Sequence, residues 1–194
     1  EVASTTESIK TVEEFKGKSK LIVCGSTWPE DEKCLAQCIG HFPRTKWIVA
    51  PHEVEESNIE RLEKLFSKSV RYSNGDFQRS NVVVVDSIGQ LNKLYQYADV
   101  AYVGGGFRTG LHNILEASAY GIPTVFGPDH SKFADASNMV DKGLAFSIAS
   151  EVELKSKLSA LLAEDQSQLR SKILDFMYAR VGATKAILEY TKEC

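Results

Sequence analysis

Three features of the sequence predict a doubly wound parallel α/β sheet. Short apolar runs recur along the chain, segments with apolar residues three or four apart lie between them, and turn residues bound each run. Strands buried on both faces are continuous apolar runs, and their alternation with helices is typical of parallel sheets. With 194 residues, of which 43% are hydrophobic, the chain is long enough for one good core. We therefore expect one globular domain over residues 1–194.

Six apolar runs are the expected strands, at residues 21–24, 47–50, 82–85, 100–103, 124–126 and 144–148. Apolar spacing predicts helices between them at residues 31–39, 55–67, 89–97, 111–120 and 132–142. Three C-terminal helices are expected at residues 151–163, 166–180 and 182–193. A short run at residues 69–72 either joins the sheet or only leads into a turn at residues 73–76.

The composition argues against several classes of protein. The net charge of -3 disfavours a nucleic-acid binder, because phosphate backbones require a basic face. No apolar run reaches the roughly 18 residues of a membrane span, and the N-terminus does not resemble a signal peptide. We therefore expect a soluble, cytoplasmic fragment, and the absence of an initial Met suggests that it was excised from a longer protein.

The cysteines at positions 24, 34, 38 and 194 form neither a disulfide framework nor a CxxC motif. This usage is typical of a reducing cytoplasm. Cys34 and Cys38 are one helical turn apart and could be two metal ligands, but further ligands at metal-site spacing are missing. We expect ordinary buried thiols and no bound metal.

The most informative segment is residues 103–116, in which a glycine loop (residues 104–110) follows a predicted strand and precedes a predicted helix. Glycines let a backbone approach a ligand closely, and a helix start directs free N–H groups at a phosphate. We expect His112 and Asn113 to contact an anion there. Glu116, on the same face of the first turn, is expected to reach a ribose hydroxyl. The alternative is a tight strand-to-helix turn without a ligand.

The spacing of this loop excludes two common phosphate-binding motifs. The positions of Gly104, Gly106 and Thr109 do not satisfy GxGxxG, and the loop lacks the Lys-Ser/Thr pair of a P-loop. The segment is therefore neither a dinucleotide fingerprint nor a Walker A motif.

Ligands of open parallel sheets lie outside the carboxyl ends of the strands, near the point where strand order reverses. Ser26 and Thr27 follow the first strand, where they either cap the acidic helix start or donate to a phosphate. His52 follows the second strand and is either a phosphate donor or a polar surface residue. Arg108 and Lys132 are either phosphate partners or ordinary solvated charges.

Taken together, these loops resemble the C-terminal half of the 3-deoxy-D-manno-octulosonic acid (Kdo) transferases, which are GT-B glycosyltransferases. The matching motifs are GSTWPEDE at residues 25–32, APH at 50–52, DSIGQL at 86–91, YxxADVAYVGG at 95–105, HNxxE at 112–116 and FGP at 126–128. The similarity covers nearly all of residues 20–150. It implies a Rossmann-like domain that binds the nucleotide sugar CMP-Kdo, for transfer of Kdo to a lipid A precursor in lipopolysaccharide biosynthesis.

The resemblance also implies a set of donor contacts in the loops after the strands: Ser26, Thr27, His52, Ser87, Ile88, Gly89, Gly105, Gly106, Gly110, His112, Asn113 and Glu116. The glycines, His112 and Asn113 would hold the phosphate, Glu116 the ribose and residues 87–89 the cytosine. Two positions depart from the family pattern, which often has Arg in the loop that contains His52 and Glu in place of Gln90.

By the same resemblance, the acceptor-binding N-terminal domain, which supplies the general base, is not part of this chain. We therefore expect no catalytic residue in residues 1–194, no cofactor and no metal. The full-length enzyme would lie at the cytoplasmic face of the inner membrane. Two alternatives stay open: another GT-B enzyme, such as a UDP-sugar transferase or an epimerase, and a non-catalytic Rossmann-like binding module.

Overall fold

The central sheet of the computed structural model contains seven parallel strands within residues 9–108 and 110–180, the part of the chain that the structure describes. The strands are β1 (Leu21–Thr27), β2 (Lys46–Pro51), β3 (Val70–Arg71), β4 (Val82–Val84), β5 (Val100–Val103), β6 (Thr124–Phe126) and β7 (Ala145–Ser147). Their order across the sheet is β3-β4-β2-β1-β5-β6-β7, and every neighbouring pair is parallel. The predicted fold class is confirmed, and the short run at residues 69–72 joins the sheet as β3.

The helices that cover the sheet are α1 (Lys10–Lys16), α2 (Pro29–Ile39), α3 (Glu56–Leu65), α4 (Leu91–Tyr95), α5 (Leu115–Ser118), α6 (Ala134–Asp141), α7 (Glu151–Ala163) and α8 (Ser167–Tyr178). A 3-10 turn at Tyr72–Asn74 ends at Gly75, whose φ of 70° is left-handed. This turn occupies the position that the sequence predicted. The helix predicted at residues 182–193 lies outside the described residues, as does Cys194.

Alternation along the strands divides the core into two layers. Ile22 and Cys24 of β1 face one side of the sheet, with buried residues of α2, α3 and α7. Leu21 and Val23 face the other side, together with Phe15 and residues of α4. Both faces of the strands are therefore covered, which explains why the strands are continuous apolar runs.

Helix α1 was not predicted from the sequence. Its Val12 and Phe15 are buried against the second face of the sheet. Lys16 donates to the carbonyl of Tyr97 at 2.6 Å and pairs with Asp99 at 2.9 Å, so the helix is also tied to the turn before β5.

The helix predicted at residues 111–120 is wrong in its first half, because only Leu115–Ser118 is helical. Gly110 has a left-handed φ of 97°, and the side-chain oxygen of Asn113 accepts from the backbone N–H of Leu115 at 3.0 Å. An Asn in that arrangement precedes a helix rather than continuing one. His112 and Asn113 therefore lie in a loop and do not share a helical face with Glu116.

Strand order reverses between β1 and β5. From β1 the chain moves outward through β2, β4 and β3 on one side, whereas β5, β6 and β7 extend on the other. The loops after β1 and β5 therefore turn to opposite faces and leave a crevice outside their carboxyl ends, bounded by residues 25–28 and 104–106. Several of the predicted site residues lie at or beside this crevice.

Candidate functional site

The first part of the glycine loop packs directly on the end of β1. The N–H of Gly104 donates to the carbonyl of Gly25 at 2.9 Å, and the carbonyl of Gly104 accepts from the backbone of His112 at 3.1 Å. A Cβ on Gly104 would lie 2.3 Å from the carbonyl oxygen of Ser26. Since Ser26 itself has a left-handed φ of 52°, the two chain segments meet with no room for a side chain at position 104.

Gly105 and Gly106 pack closely against backbone atoms of Gly110 and Gly127. A Cβ on Gly105, whose φ is 91°, would lie 2.1 Å from the carbonyl oxygen of Gly110, and one on Gly106 would lie 2.7 Å from the amide nitrogen of Gly127. The N–H of Asp129 donates to the carbonyl of Gly106 at 2.7 Å. The loop after β5 is therefore attached to both the end of β1 and the loop after β6.

Asp31 is the buried polar group that joins these segments. Its carboxylate accepts from the backbone N–H groups of Trp28 and Gly105, both at 2.9 Å, and from the hydroxyl of Tyr102 at 2.7 Å. Burial raises the pKa of Asp31, while these hydrogen bonds oppose the rise. In the sequence, Asp31 is only one of the acidic residues at a helix start, because its role depends on contacts about seventy residues away in the chain.

Three rings meet beside the glycine loop. Trp28 and His52 stack with ring centroids 4.6 Å apart, and His52 and His112 stack at 4.7 Å. The indole N–H of Trp28 donates to Nε2 of His112 at 2.9 Å. Burial and the neighbouring His52 lower the pKa of His112, so this ring is neutral at neutral pH. The two histidines predicted from the sequence are thus brought together, by a tryptophan that the sequence analysis did not place in the site.

Thr27 is buried, and its hydroxyl donates to Oε1 of Glu32 at 3.0 Å. Donation from this hydroxyl to a ligand, as the resemblance implied, would require that bond to be broken. The capping alternative is wrong for both Thr27 and Ser26, because Trp28 occupies the N-cap position of α2. Ser26 is half-buried at the edge of the crevice.

Glu32 is fully buried and forms an ion pair with Arg61 of α3. Replacing Arg61 with methionine should reduce the free energy of unfolding by about 2 kcal/mol at neutral pH, because a buried carboxylate would lose its cation. This expected loss is smaller than the ~3–5 kcal/mol typical of breaking a fully buried ion pair, since Arg61 is 38% exposed. Urea denaturation of parent and variant measures the difference.

The pH dependence of this loss has a defined sign. Burial raises the pKa of Glu32 and Arg61 opposes that rise, so the R61M variant should raise the pKa further above its unfolded value. A carboxyl group whose pKa is higher in the folded than in the unfolded protein favours folding at pH values below its unfolded pKa. This contribution to the free energy of unfolding is lost as the pH rises through the folded pKa. The difference in free energy of unfolding between parent and variant should therefore narrow as the pH falls through the raised pKa of Glu32. A difference that stays constant with pH would contradict this account of Glu32.

Asn113 and Glu116 contact each other at the start of α5. The amide nitrogen of Asn113 donates to Oε1 of Glu116 at 3.3 Å, and its side-chain oxygen accepts from the backbone N–H of Leu115, the first residue of α5. Burial raises the pKa of Tyr95, and the charge of Glu116 raises it further, which places that carboxylate near α4. His112 and Asn113 also line a cavity of about 230 Å³ with Phe133. Asn113 therefore orients Glu116 and borders open space.

The predicted base-binding residues Ser87, Ile88 and Gly89 lie after β4, which is separated from β1 by β2. Ile88 is 84% exposed, and Gly89 has a left-handed φ of 86°. Helix α4 follows this loop and reaches the crevice through Tyr95. A Cβ on Gly25, near the end of β1, would lie 2.1 Å from the Tyr95 hydroxyl. Within the described residues, no hydrogen bond or ring contact joins residues 87–89 to the ring cluster.

The two candidate phosphate partners differ in their surroundings. Arg108 is exposed and pairs with Glu30 at 3.3 Å, so it already has an anionic partner. Lys132 is exposed in the loop after β6.

Within the described residues, no group of three or more His, Cys, Asp or Glu side chains could hold a metal ion, and Cys24, Cys34 and Cys38 are free thiols.

The architecture defines a Rossmann-like domain of the GT-B glycosyltransferase type. The C-terminal domain of a glycosyl transferase group 1 family protein (LpcC) from Francisella tularensis superposes with a TM-score of 0.58 and 16% identity, covering 92% of this chain and 93% of that one. No family model matches the sequence. None of the helices in the described residues is long and apolar enough to cross a membrane.

Among proteins of this class, the chain is similar to the Kdo transferases, as its motifs indicated. It is 31% identical over 160 residues to the 3-deoxy-D-manno-octulosonic acid transferase of Aquifex aeolicus (strain VF5), covering 77% of this chain and 44% of that enzyme. The C-terminal CMP-Kdo binding domain of WaaA from Acinetobacter baumannii superposes with a TM-score of 0.74 and 22% identity, covering 87% of this chain and 98% of that domain. The chain thus spans less than half the length of the Aquifex relative.

Proposed function

We propose that this chain is the donor-binding domain of a Kdo transferase and that its crevice holds CMP-Kdo. The observation that carries the proposal is the glycine loop, which packs without side chains on the ends of β1 and β6 and leaves His112 beside it. The sequence similarity to Kdo transferases supports the choice of donor. The name of the Acinetobacter domain, a CMP-Kdo binding domain of the same fold, supports it as well.

The proposed reaction transfers Kdo from CMP-Kdo to a hydroxyl of a lipid A precursor. The acceptor oxygen attacks the anomeric carbon, the bond from that carbon to the phosphate oxygen breaks, and CMP leaves. The acceptor proton goes to a base in another domain of the full enzyme. This domain orients the donor, and its preformed dipoles stabilise the charge that grows on the leaving phosphate.

The structure suits that task because its polar groups are already held in place. The His112 ring is fixed by Trp28, Asn113 orients Glu116, and Asp31 holds the Gly105 end of the glycine loop. Groups held in this way need no reorganisation when charge develops. The proposed mechanism uses neither a metal nor a cofactor. From the similarity to Kdo transferases, we also propose that the full enzyme lies at the cytoplasmic face of the inner membrane, where its lipid acceptor would lie.

A heteronuclear NMR titration of this chain with CMP tests the donor assignment, with UMP and UDP as controls. We expect shift changes with CMP that centre on residues 87–89, 105–108 and 110–116. Preference for UDP would assign the chain to another GT-B enzyme. The absence of shifts with all three nucleotides would favour the non-catalytic binding module or a donor site that depends on the absent N-terminal domain.

Replacing Glu116 with alanine should weaken CMP binding by roughly 1–3 kcal/mol, the usual range for loss of a hydrogen bond to a charged group. The expected partner is a ribose hydroxyl. Glu60→Ala, an exposed position on α3, is the matched control and should leave affinity unchanged. Affinity equal to that of the parent in a folded E116A variant would remove Glu116 from the site.

A further inference from the structure

The ring cluster of Trp28, His52 and His112 contains a bond that determines the state of one histidine. A tryptophan indole N–H is a donor only and has no acceptor function. Since it donates to Nε2 of His112 at 2.9 Å, that nitrogen must carry a lone pair. A neutral imidazole has one protonated nitrogen, so the proton of His112 lies on Nδ1.

The same ring is held in orientation by its other contacts. One face of the His112 ring stacks on His52, and its Cδ2 atom lies against the glycine loop, 3.1 Å from where a Cβ of Gly105 would be. Cδ2 and Nδ1 occupy opposite sides of an imidazole ring. The protonated Nδ1 edge of His112 is therefore directed away from Gly105, so a ligand group bound by Nδ1 lies on the other side of the ring from this glycine. His112 and Gly105 therefore do not bind the same ligand atom through these groups.

The groups that face His112 do not favour an imidazolium. His52 stacks on it, Trp28 donates to it, and burial opposes its positive charge, while the negative charge of Asp31 acts in the other direction. Protonation of Nε2 would also break the bond from Trp28, because a protonated nitrogen cannot accept. His112 is thus prepared to act as a neutral donor from one nitrogen.

We propose that Trp28 is a positioning residue of this site, which holds His112 in the Nδ1–H form so that this N–H donates to the anionic part of the ligand. The proposal rests on the proposed function for the identity of that ligand, a nucleotide phosphate. Trp28 does not itself need to contact the nucleotide. Its contribution is to remove the other tautomer and other ring orientations before binding, which lowers the entropic cost of binding.

Long-range ¹H–¹⁵N correlation spectra of the histidine rings in the ligand-free chain measure the tautomer of His112 and its hydrogen bond from Trp28. We expect Nδ1 of His112 to give a protonated, pyrrole-type nitrogen shift and Nε2 a pyridine-type shift. A scalar coupling across the hydrogen bond should connect Nε1 of Trp28 to Nε2 of His112. A protonated Nε2 in the parent protein would overturn the proposal. Because no nucleotide is present, this result is independent of whether the chain binds CMP.

The W28F variant keeps an aromatic ring for His52 but removes the donor. In W28F we expect a mixture of His112 tautomers, a higher titration midpoint for His112, and a CMP affinity about threefold to tenfold lower, as for loss of one neutral hydrogen bond. W47F is the control, because Trp47 is the other tryptophan, is buried in the core, and its indole N–H forms no hydrogen bond within the described residues. It should leave the tautomer and the affinity unchanged.

The outcomes separate the two proposals. If His112 in W28F keeps the single tautomer and the titration midpoint of the parent, Trp28 is not a positioning residue, whatever the affinity of the variant for CMP. If the tautomer changes but CMP binds neither parent nor variant, the proposal that this chain alone binds the donor fails, while the tautomer assignment stands. If the tautomer changes and CMP affinity does not, His112 does not donate to the nucleotide, and the proposal is overturned.

Discussion

Replacing Gly104 with alanine should reduce the free energy of unfolding by roughly 3 kcal/mol, the upper part of the range for overpacking a tightly packed site. The new Cβ would lie 2.3 Å from the carbonyl oxygen of Ser26 and 2.7 Å from the Cα of Thr27. Both are backbone atoms, so no side-chain rotation relieves the contact. The end of β5 would have to move away from β1, and the hydrogen bond from Gly104 to Gly25 would lengthen or break.

Urea denaturation of G104A against the parent measures this loss, and Gly40→Ala is the matched control. Gly40 follows α2 with helical dihedral angles, and a Cβ there would meet nothing within 4 Å. The control should be neutral or slightly stabilising, because alanine restricts the unfolded chain more than glycine does. Equal stability of G104A and G40A would mean that the loop after β5 adjusts without cost.

Replacing Asp31 with alanine should cost about 3 kcal/mol of folding stability, because it leaves three donors without their acceptor. These donors are the N–H groups of Trp28 and Gly105 and the hydroxyl of Tyr102. The site should be affected as well, since the glycine loop would lose its bond to α2. Amide shifts of Gly105 and Gly106 should therefore change in D31A, and CMP affinity should fall with them.

The Asp31→Asn variant distinguishes lost hydrogen bonding from lost volume. One carboxylate oxygen accepts from both backbone N–H groups, and the other accepts from the Tyr102 hydroxyl. An asparagine can keep the first oxygen and present its NH₂ to Tyr102, whose hydroxyl can accept instead of donating. D31N should therefore lose only about 1 kcal/mol. Asp141→Ala, an exposed control at the end of α6, should lie within about 0.5 kcal/mol of the parent.

The sheet could be predicted from the sequence because its strands are apolar on both faces. The runs at residues 100–103 and 124–126 coincide with β5 and β6, and the other strands differ from their predicted bounds by up to three residues at an end. Helix α1 was missed because only two buried residues, Val12 and Phe15, mark it in a short polar segment. Its stability comes from packing on the sheet, which local spacing does not reveal.

The loop before α5 was predicted incorrectly because its apolar spacing suits two structures. Leu111, Ile114 and Leu115 are separated as on a helical stripe, yet Leu111 and Ile114 are buried against Phe126 and Met139 from a loop. The left-handed Gly110 and the hydrogen bond from the Leu115 N–H to the Asn113 side chain determine that outcome. The spacing of these residues alone could not place the start of α5.

The most connected polar residues of the site were not identified from the sequence. Asp31 looks like an ordinary acidic residue in the first turn of a helix, and Trp28 like a single aromatic residue before a proline. Their importance arises from partners 74 and 84 residues away, Gly105 and His112. Only the juxtaposition of β1 and β5 at the strand-order reversal brings these pairs together.

The contact between Gly106 and Gly127 makes the rim of the crevice a single mechanical unit. The loops after β5 and β6 touch backbone to backbone and share the hydrogen bond from Asp129, so neither can swing over a bound molecule without the other. A nucleotide sugar would bind to loops that already have their final conformation. Discrimination between donors would then come from steric fit to a stiff template, and enclosure of the donor would require another part of the enzyme to move toward it as a rigid body.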